Sequence, residues 1–251
     1  MTLLNQKIRT KNFLLSVISA GSQDAKKLAI VLPGRLDTKD YPHMISHVEL
    51  LAQLGFLALS FDPPGTWESD GPDELYSMSN YLVAINELIE HFGNKSTLLL
   101  GHSRGGSMAM LGATKNKNVI GFISIMSRAT FRSGKIDEEW RLAGKKTFKR
   151  DMPSDSSKSR KYVLPFSFVE DSEQYDMREG VKGLSIPKLF VAGKDDDTVP
   201  PSLVEEGYKA AGEPKEFVLL DSDHDYRHHP KIISEINDII SNFITIHADL
   251  C

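Results

Sequence analysis

The apolar run Thr97-Leu98-Leu99-Leu100 ends in Gly101-His102-Ser103-Arg104-Gly105-Gly106 and passes at once into Met108-Ala109-Met110-Leu111. This junction constrains the fold more than any other stretch of the chain. A short continuous apolar run closed by glycine reads as a buried strand, and the residues after the glycines read as an apolar helix. A strand that becomes a helix within a few residues forces the residue at the bend into strained backbone, with its side chain clear of the sheet. Glycines at 101 and 105 suit such a turn, because a Cβ there would meet a neighbouring strand or helix. A helix that begins directly after Ser103 points free N–H groups at the hydroxyl and favours negative charge there. Gly-x-Ser-x-Gly alone occurs by chance in loops; the strand before and the helix after make it a turn that presents a nucleophile.

The rest of the chain alternates in the same way. Leu28-Ala29-Ile30-Val31-Leu32 is a buried strand stopped by Pro33-Gly34. Met44, Val48, Leu51 and Leu54 recur at helical spacing until Gly55. A strand is expected over 56–61, then a helix stripe of Leu75, Met78, Leu82, Ile85 and Ile89 with Asp73 as a candidate N-cap. Further strands are expected at 119–126, 188–191 and 216–220, with a helix over 201–211 between the last two. Pro230 opens a final helix carrying Ile232, Ile233, Ile236, Ile239, Ile240, Phe243 and Ile244. Continuous apolar strands alternating with amphipathic helices imply an α/β fold, with a mostly parallel central sheet and helices on both faces.

Residues 128–180 break this rhythm. The segment shows no strong strand, and a structureless insert of that length is improbable in a compact domain, so a helical lid insertion is expected. Ile136, Trp140, Ala143 and Thr147 could share one helix face, and 154–159 looks flexible. Eight basic and two acidic residues lie between Arg141 and Lys161. They read as a solvated face or, more sharply, as a positive rim for an anionic substrate. No repeat or linker marks a second unit, so the expectation is one domain over 1–251 containing the insertion.

Composition narrows the partners. The chain has 251 residues, is 40% hydrophobic and 25% charged, and carries a net charge of −4. It is long enough to bury a core without disulfides. Its charge does not draw it to nucleic acid or to anionic membrane. Cys251 is its one cysteine, which permits no internal disulfide and leans toward a cytoplasmic setting. No run of 18 apolar residues is present to span a bilayer. Lys7, Arg9 and Lys11 ahead of the apolar stretch 13–20 resemble a signal peptide, but that stretch is short and holds two serines, and a first strand fits it better.

A serine hydroxyl needs a base, a group that orients the base, and donors for the oxyanion. The acid candidate lies in Gly193-Lys194-Asp195-Asp196-Asp197-Thr198-Val199-Pro200, after an apolar strand. Asp196 is favoured; Asp195 and Asp197 remain alternatives, although an exposed acidic turn accounts for them. The base candidate is His224, in Asp221-Ser222-Asp223-His224-Asp225 between the last strand and the last helix. His228 and His229 sit beside Pro230, where a capping or surface role suffices. The aspartate–histidine cluster could be read as a metal site, but no ligand spacing such as His-Glu-x-x-His appears. His102 should point away from Ser103 as a packed residue, and His43, His47 and His91 look like helix-surface residues.

In this order and spacing, the segments 50–56, 62–69, 101–106, 193–200 and Asp223-His224 resemble the α/β-hydrolase superfamily over nearly the whole chain. The likeness is to small esterases and serine-aminopeptidase-like hydrolases with a lid after the sixth strand. Gly193-x-x-Asp196-x-x-Val199-Pro200 fits that family's acid loop. The resemblance implies an order of serine, acid and histidine. It also implies an oxyanion hole built from the backbone N–H groups of Arg35 and Arg104, and no cofactor. Two departures stand out. Pro33 occupies a place where relatives often have histidine, and Trp67 replaces a glycine in the 62–69 loop. Trp67 and Trp140 could each wall the pocket or simply pack against their own segments.

The expected activity is cleavage of an ester bond in a small or medium acyl substrate, through an acyl-enzyme on Ser103 with His224 and Asp196. A peptidase or amidase, a thioesterase, an acyltransferase and a non-catalytic binding protein on the same frame are the alternatives. The expected partner is a small-molecule acyl substrate, with no nucleic acid and no membrane, acting on a monomer or homodimer.

Overall fold

The apolar runs pair into one sheet. A computed structural model describes residues 2–132, 137–247 and 250; Ile136 and Cys251 lie outside the described residues. The strands of this sheet are β1 (Leu4–Arg9), β2 (Leu14–Ala20), β3 (Lys27–Leu32), β4 (Leu57–Phe61), β5 (Ser96–His102), β6 (Val119–Ile125), β9 (Lys188–Gly193) and β10 (Lys215–Leu220). Between β6 and β9, β7 (Lys145–Met152) and β8 (Asp155–Pro165) form a separate two-stranded ribbon. The sheet order is β1-β2-β4-β3-β5-β6-β9-β10. β2 is antiparallel to both neighbours, and every pairing from β4 to β10 is parallel. Leu28 to Leu32, Leu98 to Leu100 and Leu189 to Ala192 are fully buried, as strands covered on both faces must be.

Among the described residues, eight helices accompany the strands: α1 (Pro42–Gln53), α2 (Met78–His91), α3 (Arg104–Lys115), α4 (Glu138–Ala143), α5 (Ser167–Glu173), α6 (Arg178–Lys182), α7 (Pro201–Ala210) and α8 (Pro230–Ile246). α1 packs against α8, while α2, α3, α6 and α7 pack in succession. In α8 the isoleucine stripe is the reason: Ile233, Ile236, Ile240, Phe243 and Ile244 are buried. Because β3, β5, β6, β9 and β10 run parallel, the loops after all five emerge at one edge. That edge is where open α/β sheets place their ligands.

The stretch 13–20 is a strand as expected, the largely buried β2, but it is the second strand: β1, which no apolar run announces, precedes it and pairs with it as the sheet's edge. Several other local expectations are corrected. α2 is capped by Ser77, whose hydroxyl accepts from the Asn80 N–H. Asp73 instead opens a 3-10 turn and accepts from the Val163 N–H at 2.6 Å. His43 and His47 are buried rather than on the surface. The insertion is not purely helical. α4 ends at Ala143, so Thr147 falls on β7 rather than on a shared helix face with Trp140, and 155–159 belongs to β8.

Candidate active site

Ser103 stands between the end of β5 and the start of α3 with φ 53° and ψ −123°. This is the strained bend that the sequence implied. A Cβ on Gly105 would lie 1.9 Å from the Leu32 carbonyl oxygen, and one on Gly101 would lie 2.2 Å from the Gly105 carbonyl carbon. Glycine at both positions is therefore a steric requirement of the turn.

His224 Nε2 lies 2.9 Å from Ser103 Oγ, and His224 Nδ1 lies 2.7 Å from Asp196 Oδ2. The second contact fixes the tautomer, since a carboxylate only accepts: Nδ1 carries the proton and Nε2 is free to accept from the serine hydroxyl. The other carboxylate oxygen of Asp196 accepts from the N–H groups of Thr198 and Val199 at 2.8 and 2.7 Å. The Asp196 side chain is fully buried, whereas Asp195 and Asp197 are exposed. The three aspartates thus separate by geometry, and only Asp196 reaches the imidazole. His228 and His229 are exposed beside Pro230.

The loop 33–36, after β3, borders Ser103: a Cβ on Gly34 would be 3.4 Å from Ser103 Cβ. Tyr81 donates its hydroxyl to the Pro33 carbonyl at 3.1 Å, and Tyr76 Oη accepts from the Leu36 N–H at 3.1 Å. These two buried tyrosines brace the loop that carries Arg35. Both Arg35 and Arg104 border the same cavity as Ser103. The Arg104 side chain does not reach a surface carboxylate. It is buried over the rings of Phe131 and Phe168 and donates to Ser172 Oγ at 2.9 Å. Burial, with a contribution from Arg35, lowers its pKa to about 10.

That cavity has a volume of about 290 Å³ and opens over Ser103 and His224. Phe131 and Val199 are the apolar side chains among those that line it. Arg128 and Phe131, from the start of the insertion, and Arg150, from β7, complete the wall. Neither tryptophan lines it. Trp67 donates Nε1–H to the Leu36 carbonyl at 2.9 Å and packs on Tyr162, a layer behind the loop. Trp140 stacks on Phe168 inside the insertion. The pocket roles expected of both are replaced by packing roles. Sequence reasoning missed Arg128 and Arg150; the basic stretch 141–161 was the one signal for Arg150, and Arg128 carried none.

His102 lies beneath the base, with its ring buried and its Nε2–H donated to the His224 carbonyl at 2.9 Å. Burial chiefly, and then the neighbouring His224, push its pKa down to about 3, so it is neutral. Asp37, His43 and His102 bring ligand-type atoms within 4.8 Å of one another, as do Asp40, Asp62 and Glu68. Each group already holds a cation of the protein's own: the Arg150 guanidinium bonds Asp37, and the Lys39 ammonium sits 2.7 to 3.5 Å from the three carboxylates.

The parallel sheet, the strained serine at the end of β5 and the histidine and aspartate delivered from β10 and β9 define a hydrolase frame. The alpha/beta hydrolase fold family model matches residues 30–161, just over half of the chain, and the protein belongs to that family. The human mitochondrial palmitoyl-protein thioesterase ABHD10 is 23% identical over 175 residues, which cover 68% of this chain and 57% of that protein. The chain therefore matches little more than half the length of this relative. Among solved structures, mouse alpha/beta hydrolase domain-containing protein 10 superposes with a TM-score of 0.77 at 18% identity, covering 98% of this chain and 99% of that one. Est1E of Butyrivibrio proteoclasticus, with ferulic acid bound, gives 0.73 at 21% identity, with 96% and 99% covered. Among the described residues no helix is long and apolar enough to cross a membrane.

Proposed function

We propose that the protein is a serine hydrolase that cleaves an ester bond of a small or medium acyl substrate. The observation that carries this reading is the unbroken hydrogen-bonded chain from Ser103 Oγ through His224 to Asp196, ended by two backbone amides. His224 Nε2 takes the hydroxyl proton as Ser103 Oγ attacks the acyl carbon. Asp196 stabilises the resulting imidazolium and holds its tautomer. The N–H of Arg104, at the first turn of α3, and the N–H of Arg35 receive the oxyanion. His224 returns the proton to the leaving alcohol, and the acyl group is left on Ser103. Water, deprotonated by the same nitrogen, then releases the acid. No step needs a cofactor.

Residues 128–180 act as a lid in this reading, since Arg128, Phe131 and Arg150 enclose the cavity. The cavity wall supports a short or medium acyl group over a long one, because so few of its residues are apolar. Thioester cleavage is the second reading, favoured by the thioesterase name of the human relative. The test is labelling with a fluorophosphonate probe, followed by a panel of nitrophenyl esters, acyl thioesters and aminoacyl amides. Labelling of Ser103 with preference for esters is expected. An unlabelled Ser103 in folded protein would overturn the mechanism, and preference for amides would overturn the substrate class.

A further inference from the structure

Four arginines line the cavity at Ser103: Arg35, Arg104, Arg128 and Arg150. They arrive from four separate elements: the loop after β3, the start of α3, the segment after β6, and β7. Arg104 is buried, Arg128 and Arg150 are half-buried, and Arg35 is exposed, so cationic groups run from the floor of the cavity to its mouth. Two carboxylates, Asp37 and Asp225, line the cavity with them, while Asp171 and Glu206 attract Arg104 and Arg128 from beyond salt-bridge distance. Asp37 is bonded by Arg150, and Asp225 sits 3.5 Å from Arg227, which lies outside the cavity. Among the described residues, Arg35, Arg104 and Arg128 have no carboxylate within salt-bridge distance. Arg104 Nε is buried and has no hydrogen-bond partner. The Arg128 guanidinium donates to the Thr198 carbonyl at 3.3 Å and lies over the Phe131 ring.

Such a cluster is unfavourable in the empty protein. Like charges around one small cavity repel, and a buried guanidinium with an unused donor leaves a polar group unsatisfied. Arg35 is a shared source of repulsion, lowering the pKa of Arg104, Arg128 and Arg150 after the larger effect of burial. An anion in the cavity offsets the repulsion among the guanidinium groups. Guanidinium forks match carboxylate and phosphate oxygens in particular. The aromatic rings beneath Arg35, Arg104 and Arg128 hold the forks in place without neutralising them.

We propose that the substrate of Ser103 is an anionic ester, carrying a carboxylate or phosphate group that Arg35, Arg104 and Arg128 receive. This rests on the serine-hydrolase reading and narrows its substrate class. Of the bases in the stretch 141–161, Arg150 lines this site. Arg160, which also turns inward, donates to the Trp67 carbonyl away from the cavity.

The test pairs charged and neutral esters of matched size. Mono-p-nitrophenyl succinate against p-nitrophenyl pentanoate probes a carboxylate on the acyl side. 1-Butyrylglycerol 3-phosphate against 1-butyrylglycerol probes a phosphate on the alcohol side. At low salt the wild-type protein is expected to favour the anionic member of at least one pair by tenfold or more in kcat/KM. That preference should shrink as ionic strength rises. Arg128→Met should collapse the ratio, and Arg128→Lys should keep part of it. In parallel, Ser103→Ala protein titrated with succinate and with glycerol 3-phosphate should bind one of them, and the Ser103→Ala, Arg128→Met protein should bind neither. Anion binding without fluorophosphonate labelling of wild-type Ser103 would remove the hydrolase reading and leave the anion site standing. Labelling together with equal or better use of both neutral esters, or a ratio indifferent to salt and to Arg128→Met, would overturn the anionic substrate.

Discussion

His102 donates its Nε2–H to the backbone carbonyl of His224 at 2.9 Å, so the residue before the candidate nucleophile anchors the main chain of the candidate base. Both rings sit together, with centroids 4.8 Å apart. Because His102 stays neutral, it presents no charge that would disfavour an imidazolium at His224. Loss of this bond should let the 223–225 loop shift and lengthen the Ser103–His224 contact. A hydrogen bond is worth about 1 kcal/mol net, which corresponds to a rate loss of roughly five- to tenfold. His102→Leu is therefore expected to lower kcat on a nitrophenyl ester by about that factor with little change in KM, and His102→Gln to recover part of it. A kcat unchanged in His102→Leu would show that the bond does not position the base.

The three adjacent aspartates should separate on substitution. Asp196→Asn leaves the carboxamide able to present its N–H to His224 Nδ1, which turns the imidazole to the wrong tautomer. Where a serine-hydrolase triad loses its aspartate in this way, the cost is about four orders of magnitude in kcat. Asp195→Asn and Asp197→Asn alter exposed side chains and should change kcat less than about threefold, as surface substitutions leave most properties intact. A large loss at either flanking position would reassign the acid.

Burial decided which elements were legible in the sequence. β3, β5 and β9 are continuous apolar runs because both sheet faces are covered, and the turn at Ser103 announces itself because only glycine fits at 101 and 105. β7 and β8 were illegible for the opposite reason. They are rich in charged and polar residues, and their buried apolar side chains, Tyr162 and Leu164 on β8, are confined to one end of the ribbon, so neither shows alternation along its whole length, and the inward turn of Arg150 looks in sequence like one more solvated base. His43 and His47 misled in the same way, as polar residues on a helix whose buried side receives Tyr226 and His102. Asp196 is favoured among three in the sequence by its spacing, and its burial, its contact with His224 and the amides of Thr198 and Val199 single it out in the structure.

Stability should fall as the solution is acidified through the range where free histidine titrates. His47 is buried, and its ring nitrogens meet Asn237 Oδ1 at 2.7 Å and the Tyr226 hydroxyl at 3.0 Å. Burial, more than any other cause, lowers its pKa from 6.5 to about 4. The unfolded chain therefore takes up the proton first. The stabilisation is whole above about pH 6.5 and is lost as pH falls toward the folded value. Between about pH 7 and pH 5 the loss from His47 is about 2 kcal/mol. His47→Gln, which keeps hydrogen-bonding atoms without the titration, should flatten the dependence by that amount in urea unfolding at those two pH values. An unaltered difference between them would show that His47 is not a source of the acid lability.

Trp140 should govern the stability of the insertion rather than the choice of acyl chain. Its indole is 7% exposed, donates Nε1–H to the Leu164 carbonyl at 3.3 Å, and stacks on Phe168 at 6.0 Å between centroids. The Arg104 guanidinium lies over the Phe168 ring, 4.4 Å from its centroid. Trp140 thus ties the insertion to the floor of the cavity without touching its contents. Trp140→Ala removes a large buried ring, a change that typically costs about 3–5 kcal/mol. The expected outcome is a lower melting temperature, with the order of preference among nitrophenyl esters of increasing chain length kept. Phe131→Ala is the contrast, because Phe131 lines the cavity and its truncation should extend the preferred chain. If Trp140→Ala reorders the chain-length preference while Phe131→Ala does not, the assignment of wall and anchor is reversed.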